Sequence, residues 1–333
     1  MSDALLSVKD LKKYYLVKKS FRKDRELYLK AVDGVSFDLR RGETVGLVGE
    51  SGCGKSTLGK TILQLTPATG GEIIYDGVHL EKCKDEELRQ MRRKMQLIYQ
   101  DPFASMNPRM TIGQAVLAPL HAFGIGTLPE QQARAVELLA YVGLSQEHMR
   151  KYPHELSGGQ RQRAVIARAL VGSPELIVGD EPVSALDVSV RAQVLNLMKK
   201  MQRDFHLSML FISHDMSVIR YMCDRVIVMY LGKIVEMAPR EELFSNPRHP
   251  YTQALVSAIP VPEVKRRRGK EALLTGDVPS PMDIPAGCRF HTRCPHARPE
   301  CSRQEPQLWE VNRKGGSSDA SAGGHFAACH LVS

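Results

Sequence analysis

Over roughly residues 1–255, apolar positions fall into two patterns that alternate along the chain. Short runs rich in β-branched residues occur at residues 44–48, 97–99, 176–178, 208–212 and 225–229. They are too short for buried helices and read as strands covered on both faces. Between them lie longer stretches with apolar residues three and four apart, most clearly at residues 133–141 within a helical region spanning residues 111–171. The alternation predicts an α/β fold of parallel strands joined by crossover helices, with a helical subdomain inserted at about residues 103–172. The pattern breaks near Pro260, and residues 261–285 are rich in Pro, Gly and basic side chains. The expected organisation is therefore a main domain at residues 1–255, a linker at 256–287 and a compact cysteine-rich tail at 288–333. Within the tail, residues 315–324 form a Gly/Ser/Ala loop, and no internal repeat is visible.

No apolar run approaches the roughly 18 residues needed to cross a bilayer as a helix; residues 226–231 are strand-sized. Any membrane work is expected to pass through a partner. The N-terminal MSDALLSVKD has an acid at Asp3 and lacks the basic flank and apolar core of a secretory signal, so a cytoplasmic location is expected. The net charge of +9 gathers at Lys18 and Lys19 and at residues 22–25, 92–94 and 265–270. No aromatics interleave these clusters as in a strand-binding groove, so they read as solvated surface and no nucleic-acid partner is expected.

One segment carries phosphate chemistry. Gly49-Glu50-Ser51-Gly52-Cys53-Gly54-Lys55-Ser56 fits G-x-x-x-x-G-K-[ST], follows the run at residues 44–48 and precedes a helical pattern from Thr57. Its glycines let backbone N–H groups curl around a triphosphate, Lys55 can reach the β- and γ-phosphates, and Ser56 can ligate Mg²⁺. A second apolar run at residues 176–178 leads through Gly179 to Asp180 and Glu181. Adjacent acids at a strand end can serve two places: Asp180 suits the metal, Glu181 the attacking water.

Between these motifs stands Leu156-Ser157-Gly158-Gly159-Gln160, running into Arg161-Gln162-Arg163. It closely resembles the signature sequence of ABC transporter ATPases. The rest of that family's set follows in order: Gln100 resembles the Q-loop, Ser184-Ala185-Leu186-Asp187 the D-loop, and His214 the H-loop. The resemblance implies a P-loop NTPase of RecA-like ABC type, binding ATP with Mg²⁺ held by Ser56, Gln100 and Asp180. It implies that Glu181 is the catalytic base, that His214 contacts the γ-phosphate and supports Glu181, and that Gln100 links the site to a membrane partner. Residues Ser157, Gly158, Gly159, Gln160 and Asp187 would close over ATP held by an opposite subunit. Tyr15 matches the aromatic that stacks on adenine, with Tyr14 as the competing choice. One departure is Gly179, where the family usually has a side chain; looser strand packing is expected there.

The stretch from Asn246-Pro247-Arg248-His249-Pro250-Tyr251 into the tail looks like the region peculiar to oligopeptide and dipeptide importers, and residues 101–109 and 181–197 are similar to the second ATPase of dipeptide systems. That resemblance implies a partner ATPase, two transmembrane permease subunits, a peptide-binding protein acting indirectly, and a location on the inner face of a bacterial inner membrane. Four of the seven cysteines, Cys288, Cys294, Cys301 and Cys329, crowd the tail in a C-x5-C-x6-C-x27-C spacing. In a cytosolic chain such clustering suggests metal, and the missing C-x-x-C pairs disfavour a structural zinc site. Similar tails imply a [4Fe-4S] cluster, with Zn²⁺ next and free thiols last; His291, His296, His325 and His330 leave mixed ligation open. Competing readings are an importer ATPase for another solute such as a metal chelate, a non-transport ABC ATPase of DNA repair or translation, and a nucleic-acid-binding zinc tail. A repair or translation protein would carry tandem cassettes or a long coiled coil, and the chain has one phosphate loop and one signature.

Overall fold

Four apolar runs form strands with almost every side chain out of water, which fixes the core before any turn is considered. The computed structural model describes residues 4–18, 26–259, 276–311 and 324–332. In chain order it opens with β1 (Ala4–Lys18), β2 (Leu27–Arg40), β3 (Thr44–Val48), α1 (Lys55–Ile62), β4 (Gly70–Tyr75) and β5 (Val78–His79). There follow α2 (Asp85–Lys94), β6 (Met95–Ile98), α3 (Ile112–Phe123), α4 (Leu128–Tyr141), α5 (Gly158–Leu170), β7 (Leu176–Asp180), α6 (Val188–Asp204) and β8 (Ser208–Ser213). The chain closes with α7 (Met216–Met222), β9 (Arg225–Tyr230), β10 (Lys233–Pro239), α8 (Arg240–Ser245), α9 (Pro250–Ser257), β11 (Trp309–Glu310) and β12 (Phe326–Ala327).

These elements divide into two compact units. The first comprises Met1–Leu39, Thr44–Glu81 and Ser213–Ser333, the second Arg40–Glu43 and Lys82–Ile212. In the first unit β3 pairs β9 in parallel, Val45 opposite Arg225 and Val48 opposite Val228. Every residue of both strands is buried, so the continuous apolar runs are those of a sheet covered on both faces. Contrary to an all-parallel expectation, β10 pairs β9 antiparallel, and a separate four-stranded sheet in the order β2-β1-β4-β5 includes antiparallel β1–β4 and β4–β5 pairs. The alternating runs of β1 and β2 carry a period of two that the reading of short β-branched runs passed over.

The second unit holds three parallel strands, β6–β7–β8, and the helices α2 to α6. Its helix boundaries are chemically marked. Thr111 caps α3 in a reciprocal box with Gln114, Gly124 ends it in the left-handed conformation, and Pro129 stands in the first turn of α4. Gly179 does not loosen β7: a Cβ there would meet Pro182 Cγ at 3.3 Å, so the proline and Met198 already fill the space.

In the first unit the tail joins the sheet rather than standing apart. β12 pairs β10, with Ala327 opposite Glu236 and Phe326 opposite Met237, and β11 pairs β12. The basic clusters at residues 22–25 and 265–270, Lys19, residues 260–275 of the predicted linker, and residues 315–323 of the Gly/Ser/Ala loop lie outside the described residues. The buried carboxylate of Glu236 ties this region together. It accepts the backbone N–H groups of Arg248 (2.7 Å) and His249 (2.8 Å) and lies 2.7 Å from Nε2 of His325. An interior charge persists only with such partners.

Burial, opposed in part by Glu236, lowers the pKa of His249 from 6.5 to about 4. The unfolded chain protonates this ring near 6.5 and the folded chain only near 4. The contribution to stability is therefore complete above about pH 6.5 and is lost progressively toward pH 4, by up to roughly 3 kcal/mol. His249 Nδ1 caps α9 by accepting from Tyr251 N (3.1 Å), and urea unfolding at pH 7 and pH 5 checks the titration: the wild-type midpoint should fall more than that of His249→Asn, which keeps a capping side chain.

Candidate nucleotide site

In the second unit, β7 delivers Asp180 buried and then turns sharply. Glu181 has a φ of 49°, a left-handed conformation uncommon for a residue with a side chain. Its N–H is held by the carbonyl of Ile212 (3.0 Å), and its own carbonyl accepts the backbone and hydroxyl of Ser184 (3.2 and 3.0 Å). The turn is over-determined by these bonds. Gln100 Nε2 donates to the Glu181 carboxylate at 3.2 Å, a contact between two residues 81 apart in sequence that the motifs did not announce. Asp187 stands exposed at the start of α6, and Val188 beside it is 79% exposed.

The segment Leu156–Gln160 is a helix start. Leu156 is buried; Ser157 is the N-cap of α5, its hydroxyl accepting from Gln160 N (3.3 Å) while Gln160 Oε1 accepts from Ser157 N (3.0 Å). That box leaves the N–H groups of Gly158 and Gly159 without an intrahelical acceptor, as first-turn donors are. Gly159 packs so tightly that a Cβ would meet Val190 Cγ1 at 2.5 Å. Ser157 and Gly158 are exposed.

In the first unit, the loop after β3 curls because two glycines permit it. A Cβ on Gly49 would lie 2.2 Å from the Met229 carbonyl, and one on Gly54, at φ 104°, 2.0 Å from the Ala31 carbonyl. Ser51 and Gly52 are exposed at the crest, Cys53 is buried, and Ser56 and Thr57 are half-buried in the first turn of α1. Lys55 is buried and donates to the carbonyls of Gly49 (2.7 Å) and Glu50 (2.9 Å), with Cys53 Sγ at 3.7 Å. Phosphate oxygens would compete for these same donors. Tyr14 has its hydroxyl bonded to Asp33, while the Tyr15 ring is 39% exposed and carries the Lys13 ammonium 4.8 Å above it. His214 is exposed between β8 and α7, and the neighbouring Asp215 caps α7 through Ser217 N (2.9 Å).

The tail of the same unit wraps its cysteines in backbone bonds. Cys288 N donates to the Cys301 carbonyl (2.7 Å), and the sulfurs of Cys301 and Cys329 accept from Arg298 N and Leu331 N, each at 3.5 Å. Burial raises the Cys288 thiol to about 11, helped by Cys329, Cys301 and Cys294 and opposed by the Phe290 N–H. Burial also raises Cys294 and Cys329. All seven cysteines are free, and among the described residues no group of three or more His, Cys, Asp or Glu is arranged to hold a metal ion.

The ABC transporter family model matches residues 32–184, and the model for the oligopeptide/dipeptide transporter C-terminal region matches residues 235–301. An oligopeptide transport ATP-binding protein, AppF of Bacillus subtilis, is 49% identical over 99% of this chain and 98% of its own length. The chain belongs to the ABC transporter ATPases of the oligopeptide/dipeptide type. Two solved structures agree with this ABC ATPase in fold. The ATP-binding cassette MJ0796, in a dimeric post-hydrolysis state bound to ADP and Pi, has a TM-score of 0.63 at 30% identity, covering 71% of this chain and 98% of that one. The cbiO1 protein of Clostridium perfringens, part of the cbiONQ transporter complex, has a TM-score of 0.63 at 25% identity, covering 73% and 92%. No helix among the described residues is long and apolar enough to cross a membrane.

Motif reading of this ABC ATPase missed a third set of residues around its phosphate loop. Tyr251 Oη accepts from Glu50 N (2.8 Å), and Arg293 forks onto the Glu50 carboxylate (2.7 and 3.1 Å). These residues lie 201 and 243 positions from Glu50, and no local pattern announces them.

The raised Cys288 pKa sets an expectation for thiol chemistry. In metal-free protein at pH 8, alkylation of Cys288 by iodoacetamide should run about a hundredfold slower than that of a free cysteine peptide, since the thiolate is the nucleophile. Peptide mass spectrometry over a time course measures it.

Proposed function

We propose that this chain binds and hydrolyses ATP to energise the import of di- or oligopeptides through a membrane ABC transporter complex. The observation that carries the catalytic part is Glu181, held in a left-handed turn at the end of β7 with Gln100 donating to its carboxylate. Backbone strain retained at such a position marks a side chain whose direction matters more than its local stability. Glu181 is the base that orients and deprotonates the attacking water, and Gln100 fixes the carboxylate's direction.

The glycines of the loop with Ser51, Cys53 and Thr57 offer backbone N–H groups to the phosphates, Lys55 supplies the cation, and Tyr15 offers its exposed ring to adenine. Mg²⁺ bound with the nucleotide neutralises phosphate charge, and Ser56, Gln100 and Asp180 would hold it. His214 takes the family's H-loop place at the γ-phosphate. The capped helix start at Ser157, Gly158, Gly159 and Gln160, with Asp187, serves the nucleotide held by a second ATPase subunit. The exposed Val188 beside Asp187 suits burial in such a pair. The remaining partners are two transmembrane permeases and, indirectly, a peptide-binding protein, with this chain on the inner face of the bacterial inner membrane.

For the tail we propose a metal centre on Cys288, Cys294, Cys301 and Cys329, a [4Fe-4S] cluster before Zn²⁺. The donor set fits by chemistry, since four thiols share one module and several accept backbone N–H bonds. They do not converge as a closed site, so loading requires the thiols to draw together. Such a centre would fasten the tail and stabilise it against unfolding.

Two measurements test these assignments. In the assembled transporter, Glu181→Gln should leave ATP affinity within about twofold of wild type and lower turnover at least about a hundredfold; hydrolysis at the wild-type rate would remove Glu181 as the base. Elemental analysis of freshly purified protein should give iron with a brown chromophore, whereas stoichiometric colourless zinc would replace the cluster with the alternative.

A further inference from the structure

Two arginines flank the first two tail cysteines on their inner sides, Arg289 directly after Cys288 and Arg293 directly before Cys294. Both are buried and both reach back to the amino-terminal part of the chain. Arg289 is bonded to Asp33, the residue that also accepts from the Tyr14 hydroxyl, and to the Leu231 carbonyl. Arg293 forks onto both carboxylate oxygens of Glu50, the second residue of the phosphate loop, and reaches the Tyr230 hydroxyl at 3.4 Å. Beneath this contact Phe290 packs edge-on to Tyr230 (5.3 Å between centroids) and against Tyr251 (5.4 Å), whose hydroxyl accepts the Glu50 N–H.

Glu50 is thus held at its N–H by Tyr251, at both carboxylate oxygens by Arg293, and at its carbonyl by Lys55. An acid at this place is an electrostatic problem, because the loop it belongs to has the geometry of a polyanion site. Its side chain is 25% exposed and that of Arg293 only 5%, so the pair is shielded from much of the solvent that would screen a lone carboxylate. We propose that Arg293 is a positioning residue for nucleotide binding, through which the cysteine-rich tail neutralises Glu50 and fixes the phosphate loop. The inference rests on the ATP-site reading above and extends it: the tail supplies the guanidinium that holds the Glu50 carboxylate. Arg293 itself touches no phosphate; it acts through Glu50.

A purely structural contact would behave differently from a charge-masking one, and equilibrium binding of ATP to the full-length protein separates them. Arg293→Gln should weaken ATP binding about tenfold, more at low salt than at high salt, because it exposes the Glu50 charge beside the triphosphate. The double variant Glu50→Gln/Arg293→Gln, with no charge left to mask, should bind ATP within about threefold of wild type. The tail stays docked in these variants through Arg289 and the β10–β12 pairing, and a thermal melt with the thiol or metal content of each protein verifies that. Unchanged ATP affinity in a folded Arg293→Gln protein, or weakening that Glu50→Gln fails to restore, would overturn the proposal. A wild-type chain that binds no ATP would overturn the ATP-site reading along with it, whereas wild-type binding equal to that of Arg293→Gln removes this proposal alone.

Discussion

The first unit is organised around how closely the loop after β3 presses on its neighbours. With backbone carbonyls of Met229 and Ala31 inside the space a Cβ would need at Gly49 and Gly54, only glycine lets the chain turn back over β9 and start α1 at Lys55. That turn sets the direction of the Lys55 ammonium, the crest at Ser51 and Gly52, and the outward carboxylate of Glu50. Arg293 of the tail and Tyr251 of α9 are arranged around a loop whose path is already determined by that contact.

The second unit solves its local problem with hydrogen bonds instead of close packing. Glu181 adopts a conformation it would not choose in isolation, and Ile212, Ser184 and Gln100 together hold it there. Ser157 and Gln160 close a capping box on each other and leave the next two glycines as first-turn donors. The two units therefore present complementary equipment, a phosphate loop in one and a poised carboxylate with a capped helix start in the other.

Much of this was legible from sequence because it is local. Glycine spacing, a strand ending in acids and a Ser-x-x-Gln box each declare their geometry within a few residues, and the strands β3, β7, β8 and β9 begin at the residues where their apolar runs begin. What escaped depends on long separations. The β1–β4 pairing joins Leu6 to Tyr75, and the alternation along β1 is half hidden by exposed Leu16 and Val17. Glu236 looks like one more surface acid in its strand until His325 and His249 are found against it. Gly179 suggested slack by its lack of a side chain, yet Pro182 fills the gap from three residues away. The tail's spacing spoke of metal, while its arginines, unremarkable in a basic stretch, carry the contacts to Glu50 and Asp33.

The bond between Glu50 and Arg293 also has a timetable. Synthesis runs from the amino end, and 243 residues separate the two partners. At about 5–20 residues per second the ribosome needs roughly 12–50 s to cover that distance. Throughout that interval the nascent phosphate loop carries an acid without its guanidinium, and Tyr251 arrives only shortly before Arg293. A chain cut short by a premature stop after α9 would possess every sequence motif of the ATPase and lack the arginine that masks the acid in its phosphate loop.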